Sequence, residues 1–282
     1  MVNISLSYPA AQVKNFDNDR YLCSLFTTSY QVREQLFVIY TFNIELNLIK
    51  YRVNEEILGM VRLEWWREII EDIYLNRVRR HPIIEPLSNL IRDLALDKQI
   101  FMNMIDAKEY SLGIKNMFTM EDFYHYVGLG NESILKIALD ILGNTSNKIK
   151  DIVKDLAIVW SIIDTIKSIK PYMLVKNILM PEEIMQKHGI EQYMILEPKY
   201  KDNIRALICT LVENACMHLK EIYCVRHLVP RNLYAVFLLV TLSKLFIKRI
   251  KNMKYNIFDN NIKINRLQIQ LTLLIQVLMK KF

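Results

Sequence analysis

Apolar residues recur at helical spacing along most of the chain, and they rarely alternate with polar residues as a half-buried strand requires. Between Gln31 and Tyr51 they cover nearly the whole circumference of a helix, which predicts a helix buried on most sides. A second helix is predicted up to Tyr74, with Asn54 before Glu55 and Glu56 as its capped start. Its predicted apolar side consists of Ile57, Met60, Val61, Trp65, Ile69 and Ile73.

The rest of the chain continues this pattern, and no segment competes as a strand. Further helices are predicted at residues 82–94, 99–112, 120–143, 148–168, 181–188, 201–226, 230–254 and 265–281. The connections are short, and none is a Gly, Ser or Pro linker of the kind that separates domains. With 6 Gly and 7 Pro, the chain lacks the turn residues of a β-sandwich or barrel. We expect one all-α domain over residues 1–282, without internal repeats.

Charge and cysteine usage exclude several classes of protein. The 37 Lys and Arg against 30 Asp and Glu give a net charge of +7, which alone is no nucleic-acid signature, so no nucleic-acid partner is expected. The four cysteines form no C-x-x-C pair, which argues against a disulfide framework or a zinc ribbon. The longest apolar run, residues 233–242, is about half of the roughly 20 residues that a spanning helix needs. The first residues resemble neither a signal nor a transit peptide, which favours a cytoplasmic location.

Generic catalytic motifs are absent from the sequence. It has no Gly-rich phosphate loop, H-E-x-x-H or G-x-S-x-G motif, and its five histidines are scattered singly. Two pairs of carboxylates four residues apart, Asp93 with Asp97 and Asp151 with Asp155, would share a helical face and could hold Mg²⁺. Neighbouring Lys and Arg residues make ordinary solvated faces the favoured interpretation of both pairs.

Several blocks of sequence resemble the squalene/phytoene synthase superfamily in their order and spacing. They are DRYLCSLFTTSYQVREQLFVIYTFNIEL (19–46), EEILGMVRLEWWREIIEDIY (55–74), MIDAKEYSL (104–112), YHYVGLGNESILKIALDILG (124–143), NILMPEEIMQKHGI (177–190) and HLVPRNLYAVFLLVTLSKLFIKRI (227–250). The elements FNIEL and MIDAKE are closer to the branch containing the mitochondrial respiratory complex I assembly factor and its bacterial relatives. The resemblance implies an isoprenoid-synthase fold, a helical bundle around a central cavity.

The resemblance also implies which positions would carry the catalytic residues of a true synthase. The true synthases hold Mg²⁺ against a diphosphate leaving group with two D-x-x-x-D motifs on facing helices, because Mg²⁺ prefers hard carboxylate oxygens. Counting from Tyr40, the first pair of positions holds Asn47 and Tyr51. Counting back from Met180 and Pro181, which match the family's Leu-Pro, the second pair falls at Ser168 and Tyr172. The diphosphate-contacting arginine position holds Ile44. We therefore expect head-to-head condensation to be lost and no metal or other cofactor to be bound.

The same comparison yields candidate ligand residues. Either the substituted residues simply fill a former active-site cavity, or they bind a lipid-like or prenyl ligand without turning it over. The candidates for contact with the cavity or a ligand are Tyr40, Asn43, Ile44, Asn47, Tyr51, Arg62 and Trp66.

A basic cluster near the carboxyl end adds a membrane hypothesis. Lys244, Lys248, Arg249, Lys251 and Lys254 stand beside Leu245, Phe246, Ile247 and Ile250. Such a pattern can lie on an anionic membrane surface, and the alternative is a solvated face on a core helix.

The expectation that follows from the resemblance is an assembly factor for the membrane-bound NADH dehydrogenase, complex I. Its partner would be a complex I subunit or assembly intermediate, at the inner face of the cytoplasmic membrane. The Ile-, Lys- and Asn-rich composition suggests an AT-rich genome, and the lack of a transit-peptide pattern favours a bacterial one. Two alternatives stay open. One is an active prenyltransferase that uses Mg²⁺ through unorthodox carboxylates, and the other is a passive isoprenoid carrier.

Overall fold

The chain folds as a bundle of helices. A computed structural model describes residues 6–113, 115–144, 146–169, 179–258 and 262–282, and these contain no β-strand, which confirms the all-α prediction. The α-helices are α1 (Tyr8–Phe16), α2 (Asn18–Ser24), α3 (Tyr30–Arg52), α4 (Glu56–Tyr74), α5 (Ile84–Asp93), α6 (Lys98–Leu112), α7 (Met120–Val127), α8 (Ser133–Ile141), α9 (Asn147–Ser168), α10 (Glu182–Lys187), α11 (Lys201–Val225), α12 (Tyr234–Asn252) and α13 (Arg266–Leu278).

Helix α3 lies at the centre of the bundle. It contacts α1, α2, α4, α5, α6 and α8, and its side chains from Leu36 to Leu46 are buried with the single exception of Glu45. The prediction of a helix buried on most sides is confirmed. Because α3 is surrounded in this way, its carboxyl-terminal half forms one wall of the cavity described below.

The two short helices before α3 were not predicted from the sequence. Ser7 caps α1 by accepting a hydrogen bond from the backbone N–H of Ala10 at 3.1 Å, and Asp17 caps α2 by accepting one from Arg20 at 3.1 Å. The Thr41 hydroxyl donates to the Pro9 carbonyl at 3.1 Å and ties α1 to α3. Both helices are too short to show a clear apolar period, so their caps are the signals that mark them.

The face predicted for α4 was only partly right: Ile69 and Ile73 are buried as predicted, and the other four predicted residues are exposed. Its buried residues are Gly59, Leu63, Trp66, Ile69, Ile70 and Ile73, whereas Ile57, Met60, Val61 and Trp65 are exposed. The buried stripe is rotated because Gly59 lies against the side chain of Leu112 on α6, where a Cβ would come within 2.7 Å. Asn54 is not the cap either: Glu55 occupies that position, with no capping hydrogen bond from its side chain.

A single π-helical turn interrupts the helix predicted for residues 120–143. It spans Gly128–Glu132 between α7 and α8. The turn packs on α6: a Cβ added to Gly130 would lie 3.4 Å from the Cβ of Ala107, at the edge of ordinary van der Waals contact. Turns of this kind are frequent at functional sites, and this one borders the central cavity.

Candidate functional site

A cavity of about 460 Å³ that opens to solvent is bordered by α2, α3, α6, the π-helical turn and α9. Its volume is within the range of about 300–1,000 Å³ that is usual for small-molecule sites. The lining residues are Phe16, Asp17, Arg20, Asn43, Ile44, Asn47, Leu48, Lys50, Tyr51, Lys108, Ser111, Tyr126, Gly130, Asn131, Ser161, Asp164, Thr165, Lys167, Ser168 and Leu179.

The structure places most of the predicted motif positions at this cavity. Asn43, Ile44, Asn47 and Tyr51 line it from α3, and Ser168 lines it from the end of α9. Ile44, Asn47 and Tyr51 fall on one face because they are separated by three and four positions, and Asn43 lies next to Ile44. Tyr172 lies outside the described residues.

Three other sequence candidates lie elsewhere. Tyr40 is buried next to Arg20, with its ring centroid 5.6 Å from the guanidinium carbon, and does not line the cavity. Trp66 packs edge-on against Phe42, with centroids 5.2 Å apart, and belongs to the core because the buried stripe of α4 runs through it. Arg62 stands on the exposed side of α4.

The cavity is rich in cationic side chains that the sequence analysis did not select. Arg20 is 4% exposed, forms an ion pair with Asp17 at 2.7 Å and donates to the Asn131 Oδ1 at 3.1 Å. Asn131 in turn donates to the Ser161 hydroxyl at 2.7 Å. This network connects α2, the π-helical turn and α9 along one side of the cavity.

Lys108 enters the cavity from α6. Its neighbours Asp106 and Glu109 point the other way and bind Arg67 of α4 at 2.7 Å each. Lys108 is 5% exposed, and its Nζ donates to the Asn43 Oδ1 at 3.4 Å. Burial, and then the nearby positive charges of Lys50 and Arg20, lower the pKa of Lys108 to about 7.

Lys50 faces the same space from α3. Its Nζ lies 4.9 Å from the ring centroid of Tyr51. Burial lowers its pKa to about 8, although the charge of Asp164 acts in the opposite direction. The cavity thus holds two lysines whose charged forms are disfavoured by burial.

The carboxylates at the cavity are paired with cations. Lys167 binds Asp19 at 2.9 Å and Asp164 at 3.6 Å, and Asp17 binds Arg20. Burial raises the pKa of Asp164, while Lys167 and then Arg20 act to lower it. These carboxylates therefore balance Arg20 and Lys167.

The unorthodox carboxylate pairs are not part of this site. Asp93 ends α5 and Asp97 caps α6, so a turn separates them and they share no helical face, which corrects the prediction. Asp155 accepts from the His218 Nδ1 at 2.7 Å, and Asp151 is exposed. In the described part of the chain, no three His, Cys, Asp or Glu side chains lie together where they could hold a metal ion.

The basic cluster of α12 is only partly available at the surface. Lys248, Arg249, Lys251 and Lys254 are exposed, whereas Lys244 is half-buried over the ring of Tyr223. The adjoining apolar residues Phe246, Ile247 and Ile250 are buried in the core. This arrangement is that of a solvated face on a core helix, so any membrane attraction by these residues would be electrostatic.

Comparison with known proteins places the chain in a family. The family model for squalene/phytoene synthase matches residues 13–270. The chain belongs to the squalene/phytoene synthase family. This confirms the resemblance that the sequence blocks indicated.

Individual relatives refine that result. The human protein named NADH dehydrogenase (ubiquinone) complex I, assembly factor 6, is 26% identical over 265 residues, 92% of this chain and 78% of its own length. A dehydrosqualene synthase crystallised with a ligand superimposes with a TM-score of 0.83 at 16% identity, covering 98% of this chain and 96% of that one. Squalene synthase HpnC from Alicyclobacillus acidocaldarius gives 0.75 at 17% identity, covering 88% and 93%. The two structures establish the isoprenoid-synthase fold.

The spacing of apolar residues around Lys108 indicates that its side chain points into the protein, although Lys108 was not among the predicted site residues. Met104 and Ser111 are buried on the same side of α6 as Lys108, at spacings of four and three residues. A lysine in phase with buried positions indicates a cation that points into the protein. Arg20 offered no such signal, since α2 was not predicted.

Proposed function

We propose that this protein acts in the assembly of the membrane-bound NADH dehydrogenase and does not condense prenyl diphosphates. The observation that carries this proposal is the likeness to relatives named complex I assembly factor 6, which extends over 92% of the chain in the human case. The partner would be a subunit or an assembly intermediate of that complex. Deleting the gene and measuring NADH dehydrogenase and polyprenoids in the same cells tests the proposal.

The chemistry of the cavity supports a non-catalytic role. Asn47, Tyr51 and Ser168 stand where the family resemblance calls for metal-binding aspartates, and neutral groups are poor ligands for a cluster of Mg²⁺ ions. The carboxylates present, Asp17 and Asp164, lie beside Arg20 and Lys167. Cations so close compete with a metal for the same oxygens, so this donor set does not fit Mg²⁺.

We also propose that the protein attaches reversibly to an anionic membrane through α13 and the basic end of α12. Helix α13 packs on α12 through Ile269 and Leu273, and its opposite face is apolar and exposed. That face consists of Leu267, Leu271, Leu274, Ile275, Leu278 and Met279.

Charge favours a lipid surface as the occupant of this face. Residues 262–282 contain four basic side chains and no acidic one, and the bases flank the apolar face at both ends. An apolar helical face bounded by Lys and Arg is typical of helices that lie in the interface of anionic membranes, where each base contributes about 1 kcal/mol. None of the described helices is both long enough and apolar enough to cross a bilayer.

Liposome co-sedimentation tests this attachment. At about 0.1 M salt we expect the wild type to sediment with vesicles of anionic phospholipid, and at 1 M salt we expect less binding because the Debye length falls from about 10 Å to 3 Å. The variant L271Q/L274Q/L278Q should lose binding, because it removes inserted apolar area without changing the charge. The reversal K248E/R249E/K251E should lose binding at low salt.

The matched control is I57Q/L58Q on α4, two apolar residues that are 58% and 50% exposed. This variant should bind as the wild type does. Equal loss in the control, or full binding by the α13 variant, would remove α13 from the membrane contact. No binding of the wild type at low salt would end the membrane proposal.

A further inference from the structure

An exposed apolar surface covers the amino-terminal half of α4, and we call it the α4 face. Its side chains are 38–61% exposed, and they are Ile57, Leu58, Met60, Val61 and Trp65. Ile57, Val61 and Trp65 follow each other at four-residue spacing, so they form a ridge about 12 Å long. The opposite side of α4 supplies the core with other residues. Single exposed apolar residues are ordinary, but a contiguous set of this kind marks an interaction surface.

Acidic side chains border the α4 face. Residues 55–68 contain four carboxylates and two arginines, although the chain as a whole has a net charge of +7. The four carboxylates are all exposed, and they are Glu55, Glu56, Glu64 and Glu68. Glu64 lies two helical turns after Ile57, on the same side of the helix. The apolar ridge therefore has negative charge at its amino-terminal end and beyond its middle.

The two arginines do not neutralise this border. Arg67 is directed toward α6, where it binds Asp106 and Glu109 at 2.7 Å each. It also binds Glu64, at 3.2 Å. Arg62 is exposed at the edge of the α4 face. Because Arg67 brings two carboxylates of α6 next to those of α4, acidic groups outnumber basic groups around the apolar ridge.

This charge argues against a lipid surface as the occupant of the α4 face. Carboxylates and anionic headgroups repel each other, so an anionic membrane would be held away from this side. The exposed face of α13 differs in this respect, because residues 262–282 contain bases and no acidic side chain. The two exposed apolar faces thus have borders of opposite charge, and they suit different partners.

We propose that the α4 face binds a basic amphipathic helix of a partner protein. The apolar side of that helix would pack on the ridge, and its Lys or Arg side chains would lie against the bordering carboxylates. Amphipathic helices bind other proteins in this way through apolar residues at helical spacing. Trp and Met, both present in the α4 face, are enriched in protein interfaces. The identification of this helix as part of an NADH dehydrogenase subunit or assembly intermediate rests on the proposed function.

Titration with a defined peptide tests the α4 face directly. The probe is a peptide of about 18 residues, or five helical turns, with leucine on one helical face and lysine on the other. It should shift the tryptophan emission of the full chain to shorter wavelength, because Trp65 is 38% exposed whereas Trp66 and Trp160 are 5% and 1% exposed. The variant W65F should bind the peptide without this shift. An acidic counterpart, with glutamate in place of lysine, should leave the emission unchanged.

Isothermal titration of variants with the lysine peptide measures the two parts of the contact. I57Q/L58Q/V61Q should weaken binding at least about tenfold, because it removes apolar area. These side chains are 50–61% exposed, so circular dichroism should show an unchanged fold. E64Q/E68Q should weaken binding about fivefold at 0.1 M salt and have little effect at about 1 M. The matched control L271Q/L274Q/L278Q, on α13, should bind the peptide as the wild type does.

Four results would overturn the proposal. They are no binding of the lysine peptide by the wild type, equal affinity of I57Q/L58Q/V61Q and the wild type, loss of anionic-vesicle binding by that variant, and a wild-type dimer that the variant abolishes. The third result would assign the α4 face to lipid, and the fourth would assign it to a second copy of this chain.

Expression of I57Q/L58Q/V61Q in cells that lack the gene separates this inference from the proposed function. If deletion lowers NADH dehydrogenase activity, the wild type should restore it and the variant should not. Full restoration by the variant would contradict the α4 face as the partner surface and leave the assembly role intact. If deletion leaves NADH dehydrogenase unchanged, the proposed function fails, and the peptide titration alone decides whether the α4 face binds a basic helix.

Discussion

Replacing Lys108 with methionine is expected to stabilise the unliganded protein by about 3 kcal/mol at pH 6, although the residue lies in the middle of the bundle. The pKa of this lysine falls from 10.5 to about 7 because of burial and then the charges of Lys50 and Arg20. Each pH unit of pKa change corresponds to about 1.4 kcal/mol, so the charged form costs the folded state up to about 5 kcal/mol. Methionine fills similar space without a charge to desolvate.

The effect of this variant should depend on pH in a defined direction. Between about pH 7 and 10.5 the unfolded chain holds the Lys108 proton and the folded protein does not, so the stability of the wild type gains from rising pH. The advantage of K108M should therefore shrink to less than about 1 kcal/mol by pH 9.5. The other charged or titratable groups at the cavity are Asp17, Arg20, Lys50, Tyr51, Tyr126, Asp164 and Lys167, and they are present in both proteins.

Urea denaturation of the two proteins at pH 6, 7, 8 and 9.5 measures this difference. The control K220M, which replaces an exposed lysine on α11, should stay within about 0.5 kcal/mol of the wild type at each pH. A K108M protein less stable than the wild type at every pH would mean that the ammonium has a stabilising partner in the folded protein.

Replacing Arg20 with methionine is expected to have the opposite effect and to destabilise the protein by about 3–5 kcal/mol, because this buried cation is paired. Its guanidinium binds Asp17 at 2.7 Å and Asn131 at 3.1 Å, and it lies against the ring of Tyr40. The substitution would leave the Asp17 carboxylate, which is 16% exposed, without its cation. It would also loosen the contact between α2 and the π-helical turn.

The matched control for Arg20 is R92M. Arg92 is 70% exposed and binds Asn89 at 2.7 Å, so its replacement should change the free energy of unfolding by less than about 0.5 kcal/mol. Urea denaturation at pH 7 compares the two variants. Equal, small losses would mean that the Arg20 network does not hold the amino-terminal helices to the cavity wall.

Helix content was predictable because it depends on short-range periodicity. The helix predicted from Gln31 to Tyr51 is observed from Tyr30 to Arg52, and the segment predicted at 148–168 is observed as Asn147–Ser168. The face of α4 was not predictable in the same way. Apolar residues occur on both sides of that helix, and its packing on α3 and α6, with Trp66 against Phe42 and Gly59 against Leu112, decides which side is buried.

The sequence predicted several residues that line the cavity, but it did not predict the basic side chains there. Family spacing located Asn47, Tyr51 and Ser168 at the cavity, because the spacing of a helix carries over between relatives. The lysines were missed because Lys50 and Lys108 come together only through the packing of α3 on α6. The order of residues along one sequence does not show which two of its 37 basic residues border the same cavity.

The measurement that tests the assembly role most directly is the amount and activity of the membrane-bound NADH dehydrogenase after deletion of this gene. We expect both to fall, to return when the wild-type chain is expressed again, and the polyprenoid content of the same cells to stay unchanged. An unchanged NADH dehydrogenase together with the loss of a squalene- or phytoene-type product would contradict the account and make the protein an active synthase.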